Sequence, residues 1–325
     1  MLALGIESTA HTLGIAVAEK NKGKIVVKSN VISKYPSSLE GFIPRKLADH
    51  HVANYEATLR SALEKAKVKP SEIDLVAFSQ GPGIGHCLHV GYVAGASLAE
   101  NLDVPLVGVN HTVAHMDVGR ALLDAPNPLV VYVSGGNTQI GAIEDGRFHV
   151  YGETLDIGLG NLVDNVGRLL KLEPPDAVGV LKAAPLAKKY IALPYTIKGM
   201  SMTFSGLLTA VEKLVGRESN EDLSYSVQET AFSMLVEASE RALTHTRLKD
   251  VLLCGGNARN KRLQEMLRLM CEEQGVRFLS TPDEHSGDAG GMIAVTGIRM
   301  REAKVKQNDL LPRQRMRIDS APISW

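Results

Sequence analysis

The chain has 325 residues, 44% of them apolar and 22% charged, with 36 Lys and Arg balanced by 36 Asp and Glu. That length buries ample core for two domains without staples, and zero net charge excludes a strong overall field for polyanions while leaving a local basic patch open. Cys87, Cys254 and Cys271 lack CxxC spacing, which excludes a zinc ribbon and predicts reduced thiols in a reducing compartment. No basic leader and no run of membrane-spanning length is present, so a cytoplasmic protein with no membrane partner is expected.

Leu4 to Val17 reads as strand, small-residue turn and strand, with a further strand-like run from Ile25 to Ser29. Pro44 to Ala66 is a helix with proline in its first turn and a stripe at Leu47, His51, Tyr55, Leu59 and Leu63. His51 lies on that stripe and is expected in the core or a cleft wall, not as a ligand. Ile73 to Ser79 is a buried strand that runs into Gln80-Gly81-Pro82-Gly83-Ile84-Gly85 and a helix. Such a turn is anion-friendly and equally consistent with plain turn chemistry.

The apolar run Val104 to Val109 leads into Asn110-His111-Thr112-Val113-Ala114-His115. Histidines at i and i+4 share a helix face roughly 6 Å apart, and both can reach one metal at about 2.1 Å. On its own the pair is open between a metal site and a polar helix start facing water. A strand, Leu129 to Val133, breaks into Ser134-Gly135-Gly136-Asn137-Thr138, a loop suited to phosphate, and a second hairpin follows, then a strand-like run from Arg147 to Tyr151. Gly14 and Gly141 look like matching positions of a repeat, predicting a duplicated α/β domain with a cleft between the halves. Further on come a helix from Tyr225 to Thr246, a strand from Val251 to Cys254, the turn Gly255 to Asn260 and a helix from Lys261 to Gln274. Asp288, inside Ser286-Gly287-Asp288-Ala289-Gly290-Gly291, offers an oxygen ligand. The basic stretch from Lys304 to Arg317 is open between a local patch that would suffice for RNA and a solvated tail, and the tail is the reading taken.

Two hairpins and three glycine turns in a bipartite chain describe the actin-like ATPase and sugar-kinase (ribonuclease H-like) superfold. The expected domains are 1–125 plus 296–325, and 126–295, around an interdomain cleft. Within that plan, Gly5-Ile6-Glu7-Ser8-Thr9-Ala10-His11-Thr12, Phe78-Ser79-Gln80-Gly81-Pro82-Gly83, Gly108-Val109-Asn110-His111 with His115, and Tyr132-Val133-Ser134-Gly135-Gly136-Asn137-Thr138-Gln139 occur in order. Gly152 to Ile157, Gly160-Asn161 with Asp164, Phe204-Ser205-Gly206, and Asp288 with Met292-Ile293-Ala294 follow. Together they resemble the TsaD-type tRNA threonylcarbamoyladenosine synthases, in the archaeal and eukaryotic form that is the catalytic subunit of the KEOPS complex.

The resemblance implies transfer of a threonylcarbamoyl group from threonylcarbamoyl-AMP to the N6 amine of the adenine 3′ of the tRNA anticodon. It implies one Fe or Zn per chain on His111, His115 and Asp288, with Tyr132 in or near the shell. Val133, Ser134, Gly135, Gly136 and Asn137 would receive phosphate, Asp164 the ribose, and Gly256 with Asn260 the adenine of the donor or of ATP or AMP. The implied partners are a small kinase-like ATPase and a small dimeriser, with tRNA engaged through the assembled complex. A zincin-type protease needs a glutamate where Thr112 stands, and kinases of this superfold do not need the histidine pair. The remaining alternative is a divergent, weakly active paralogue serving as an ATP-binding assembly subunit. Departures from the family pattern are Asp176-Ala177 for a glycine pair, Leu181 and Ser201 for acids, Ala289 for an asparagine, Asn257-Ala258-Arg259 for Val-Ala-Ala in the Gly-Gly turn, and His86-Cys87-Leu88-His89 for Pro-Ser-Leu-Arg. These predict weakened nucleotide binding, unless Asp176 takes over the ribose contact.

Overall fold

The computed structural model describes residues 1–36 and 43–325. The chain divides into two compact units: Met1–Pro126 with Ile143–Phe148 and Gly287–Trp325, and Asn127–Ala142 with His149–Ser286. The expected boundary at 295/296 falls inside a helix, whereas the observed return to the first unit is at Gly287. Asp288 therefore belongs to the same unit as His111 and His115.

In chain order the first unit builds β1 (Leu2–Glu7), β2 (Thr12–Asn21), β3 (Lys24–Lys34), α1 (Pro44–Ala66), β4 (Leu75–Gly81), α2 (Gly85–Leu102), β5 (Leu106–Asn110) and α3 (His111–Leu122). Its sheet runs β3-β2-β1-β4-β5, antiparallel across the first three strands and parallel from β1 through β4 to β5. The second unit contributes β6 (Leu129–Val133), most of β7 (Thr138–Glu144) and β8 (Arg147–Glu153), α4 (Leu159–Leu169) and α5 (Ala177–Ala183). A short pair, β9 (Ile197–Lys198) and β10 (Ser201–Met202), precedes α6 (Ser205–Leu214), α7 (Asn220–Thr246), β11 (Asp250–Cys254), α8 (Lys261–Glu273), β12 (Arg277–Ser280) and α9 (Asp283–Ser286). Finally α10 (Gly290–Glu302) completes the first unit. The second large sheet is ordered β8-β7-β6-β11-β12, so its strands take the places of β3-β2-β1-β4-β5 one for one. The duplication expected from the two hairpins is real at the level of topology.

The matched glycines are not part of it. Glu7 pairs with Gly14, whereas Val133 pairs with Thr138. Gly141 lies opposite Val130, the place that Val17 holds opposite Leu4. The first turn is longer, spanning 8–13 between paired residues against 134–137, and that difference misled the sequence comparison. Helix α7 also begins earlier than its apolar pattern suggests. Ser219 caps it by accepting the Asp222 amide, and Glu221 and Asp222 suit the positive end of the helix dipole.

Alternation along β1 sets the first unit's layers. Leu4 and Ile6 join the core with Val76, Phe78, Ala62 and Ala66 on the α1 and α2 side. Ala3 joins Ala77, Val109, Ala114, Ile293 and Ile298 on the α3 and α10 side. His51 is fully buried as expected, its Nε2–H donating to the Ala10 carbonyl at 3.0 Å, and burial lowers its pKa to about 4. All three cysteines are buried and free. Among the described residues no helix is long and apolar enough to cross a membrane. The segment after α10, expected as a solvated tail, is instead fastened to the first unit, where Gln80, Gly108 and Asn110 hydrogen-bond to it.

Helix α10 starts directly against the β1–β2 hairpin. A Cβ at Gly5 would lie 2.2 Å from the Gly290 carbonyl oxygen, and one at Gly14 would lie 2.7 Å from the Gly290 nitrogen. Backbone meets backbone there, so no side chain can relax out of the way. Gly5→Ala is expected to lower the unfolding free energy by about 1–3 kcal/mol or more. Gly206→Ala, in helical backbone where a new Cβ meets nothing within 4 Å, should be neutral or stabilising by about 0.5–1 kcal/mol. Denaturant titration of both variants checks the pair.

Candidate metal centre and nucleotide loops

The parallel strands β1 and β5 end at Glu7 and Asn110, and their carboxyl ends carry the site. Asn110 is the N-cap of α3: its side-chain oxygen accepts the amides of Thr112 and Val113 at 2.9 and 3.1 Å. That cap fixes His111 as the first helical residue and His115 one turn later, with ring centroids 4.7 Å apart and nearly perpendicular. Asp288, just ahead of α10, reaches toward both: its Oδ1 is 3.2 Å from His115 Nε2 and 3.7 Å from His111 Nε2. The three potential ligand atoms lie within 4.8 Å of one another.

A second carboxylate completes the arrangement. Glu7, fully buried, accepts the Nδ1–H of His111 on Oε2 at 2.9 Å, and its Oε1 accepts the amide and hydroxyl of Thr9 at 2.7 and 2.5 Å. With Nδ1 tied to Glu7, the other ring nitrogen of His111 faces Asp288. This is how a carboxylate behind a histidine orients a metal ligand. The Gly5-Ile6-Glu7 motif was visible in the sequence, but nothing in it joined Glu7 to a residue 104 positions away.

Electrostatics divide the two imidazoles. Burial disfavours the imidazolium of His111, yet the charge and hydrogen bond of Glu7 and the charge of Asp288 outweigh it and raise its pKa to about 9. Burial dominates at His115, and together with the charge on His111 it keeps that imidazole neutral against the pull of Asp288. Burial works against the Asp288 carboxylate, but the bond to His115 and the charge of His111 hold its pKa well below the usual range. Nearby, burial lowers the pKa of His11 despite the charge of Asp288. Two imidazoles and one carboxylate, backed by the second carboxylate of Glu7, form a donor set that fits a divalent cation of intermediate softness.

The remaining expected site residues belong to the second unit. Tyr132 and Val133 end β6 and are buried, while Gly135, Gly136 and Asn137 are exposed in the turn that follows. Within that turn the Ser134 amide donates to the Asn137 carbonyl at 2.8 Å and the Asn137 amide to Ser134 Oγ at 3.1 Å. The turn packs on the start of α4, where the amides of Gly160 and Asn161 donate to the carbonyls of Ser134 and Gly135. A Cβ at Gly160 would lie 2.4 Å from Asn257 Nδ2 and 2.8 Å from Gly135 Cα. The turn after Val133, the start of α4 and the third glycine turn thus converge. Gly160 and Asn257 entered the sequence reading only as parts of motifs, and Gly158 was left out of it. Gly255 adopts φ +95°, and a Cβ there would meet the Val133 carbonyl at 2.4 Å.

Gly256 is exposed at the start of a short 3-10 turn, and Asn260 caps α8 by accepting the Leu263 amide. Asp164 accepts the amide of Ala177 at 2.9 Å. Asp176, the alternative ribose partner, is the N-cap of α5, its Oδ1 accepting the amides of Val178 and Gly179. That role accounts for an aspartate at the departure. Leu181 is 38% exposed on the same helix.

A family model described as TsaD: tRNA N6-adenosine threonylcarbamoyltransferase matches residues 25–295. The chain belongs to the TsaD family. A relative named tRNA N6-adenosine threonylcarbamoyltransferase, from Thermococcus sibiricus, is 44% identical over 329 residues and covers both chains completely. A Methanothermobacter thermautotrophicus relative, named a probable bifunctional tRNA threonylcarbamoyladenosine biosynthesis protein, is 43% identical, and the match covers all of this chain and 61% of that one. Among solved structures, HypF of T. kodakarensis superposes with a TM-score of 0.66 at 14% identity, covering 93% of this chain and 48% of that one. That likeness shows the fold, which is of the actin-like ATPase type.

Removing the carboxylate behind His111 should weaken the site without dismantling it. Glu7→Gln is expected to lower affinity for Zn²⁺ or Fe²⁺ about 10–100-fold, while His111→Ala combined with His115→Ala abolishes binding. Metal titration with circular dichroism as a fold control checks both, and an unchanged affinity in Glu7→Gln would remove Glu7 from the site.

Proposed function

We propose that the chain transfers a threonylcarbamoyl group from threonylcarbamoyl-AMP to the N6 amine of the adenine 3′ of the tRNA anticodon, using one Fe or Zn ion. The observation that carries this reading is the His111, His115 and Asp288 cluster backed by Glu7, in a chain matched along its full length by tRNA-modifying relatives. That full-length match also argues against the divergent assembly paralogue.

In the proposed reaction the amine nitrogen attacks the carbamoyl carbon, the bond to the AMP phosphate breaks, and the amine gives up a proton. The metal, when bound, supplies Lewis acidity toward the developing negative charge. His111, His115 and Asp288 would hold it. Glu7 and Thr9 keep the His111 ring from turning. On the nucleotide side, the turn following Val133 receives the phosphate. Since the Ser134 and Asn137 amides already bond within the turn, the amides of Gly135 and Gly136 are the donors for it. Asp164 faces the ribose, and Gly256 and Asn260 border the adenine.

The reading extends to a cytoplasmic setting and to two protein partners, a small kinase-like ATPase and a small dimeriser, as in a KEOPS complex. One observation favours a protein partner on the first unit: an apolar groove between α1 and α2, where Val52 and Val93 are 64% and 59% exposed. Zero net charge keeps the chain alone from binding tRNA tightly, because phosphate contacts supply much of the affinity for nucleic acid.

Mass spectrometry of nucleosides from tRNA incubated with the chain, threonylcarbamoyl-AMP, metal and partner subunits tests the proposal. Threonylcarbamoyladenosine should form with the wild type and fall at least about 100-fold with His115→Ala, equivalent to ~2.7 kcal/mol of lost transition-state stabilisation. Equal product from both proteins, or none from the wild type, would contradict it.

A further inference from the structure

The segment 303–325 forms a strap across the carboxyl ends of β4 and β5. The Gln80 side chain donates to the carbonyls of Asp309 and Leu311, and the Gln80 carbonyl accepts the Arg313 amide at 2.8 Å. Gln307 exchanges two hydrogen bonds with the backbone of Gly108. A Cβ at Gly81 would lie 1.9 Å from the Arg313 carbonyl oxygen, so the strap needs glycine beneath it. At its far end the Trp325 indole donates to the fully buried carboxylate of Asp117 at 3.0 Å. These bonds order a stretch whose composition alone suggests a loose tail.

What the strap presents is positive charge. Lys306, Arg313, Arg315 and Arg317 are all exposed and all border one cavity of about 390 Å³. Arg313 pairs with Asp309 and Arg317 with Asp319, in exposed ion pairs that an incoming phosphate displaces at little cost. Lys306 and Arg315 have no ion pair among the described residues. In a chain of zero net charge, four cations within twelve residues are a local concentration, not a share of a general excess. Their location matters as much. Asn110 and Val113 also line the cavity, and the Asn110 side chain donates to the Arg317 carbonyl at 3.1 Å while it caps α3. The strap is therefore bonded to the residue next to His111.

We propose that this strap is the chain's own RNA-binding track: Lys306, Arg313, Arg315 and Arg317 engage backbone phosphates of tRNA next to the helix that carries His111 and His115. The inference rests on the reading that the chain modifies tRNA. Phosphate contacts position a nucleic acid without reading its sequence, and here they hold the substrate beside the start of α3. They add affinity that is modest and salt-dependent, in keeping with a neutral chain.

The test is a fluorescence titration of labelled tRNA transcript with the full-length protein across a KCl series. Wild type should bind in the micromolar range, with log K falling linearly against log salt. Lys306→Glu with Arg315→Glu should weaken binding at low salt at least tenfold and flatten the slope by roughly 1–2, since each lost phosphate contact removes about 0.7–0.9. Lys22→Glu with Lys24→Glu, two exposed lysines of the β2–β3 turn region, should change affinity less than twofold. Wild-type affinity and slope in the strap variant would overturn the proposal, as would equal weakening in both charge-reversal variants. Loss of partner assembly without loss of RNA binding would assign the strap to a protein and overturn it too. Failure of wild type to modify tRNA in the complex is a separate result, and it counts against the functional reading instead.

Discussion

Helix α10 can begin against β1 and β2 only because Gly5, Gly14 and Gly290 present bare backbone to one another. That approach has a long reach. It brings a segment from the far end of the sequence onto the central strand of the first sheet, and Asp288 sits two residues ahead of the contact. The same strand, β1, delivers Glu7 at its end, and β5, on the far side of β4 in the same sheet, delivers Asn110 and then His111. Three parts of the chain widely separated in sequence meet because β1, β4 and β5 run parallel and their carboxyl ends lie together. A side chain at Gly5 or Gly290 would push Asp288 away from the histidines before any chemistry were considered.

The assembled group is electrostatically unusual for a protein interior. Two carboxylates and two imidazoles share one site, Glu7 and His115 almost wholly buried. Without a cation the balance is held by a proton on His111, which both acids favour. Buried charges are tolerated when paired and hydrogen-bonded, and Glu7 has that support from Thr9 and His111. A divalent cation satisfies the same carboxylates with more charge and no proton. That suits the arrangement to a ligand set better than to a device for stability, because replacing such a cluster with apolar side chains usually costs a fold little.

Much of this was legible in the sequence. The histidine pair, the strand before it and the late aspartate could be read from residue type and spacing, and the two hairpins predicted the duplication that the sheet orders display. What could not be read was set by distance along the chain. Glu7 needed the sheet to find His111, and the boundary at Gly287 needed the glycine contact with β1. The Gly14 and Gly141 match failed because turn length shifts register without leaving a mark on composition. Asp176 looked like a departure from a pattern, and local physics gives it a helix cap. The basic stretch near the end looked solvated because its partners are backbone groups and side-chain amides from residues 80–110, which periodicity does not reveal.

X-ray absorption on the metal-loaded protein tests the central claim most directly. Two imidazole nitrogens with oxygen ligands, and no sulfur, are the coordination that His111, His115 and Asp288 require. The three buried cysteines supply the contrasting outcome. A sulfur shell at about 2.3 Å, or a shell without imidazole, would contradict the assignment of this site.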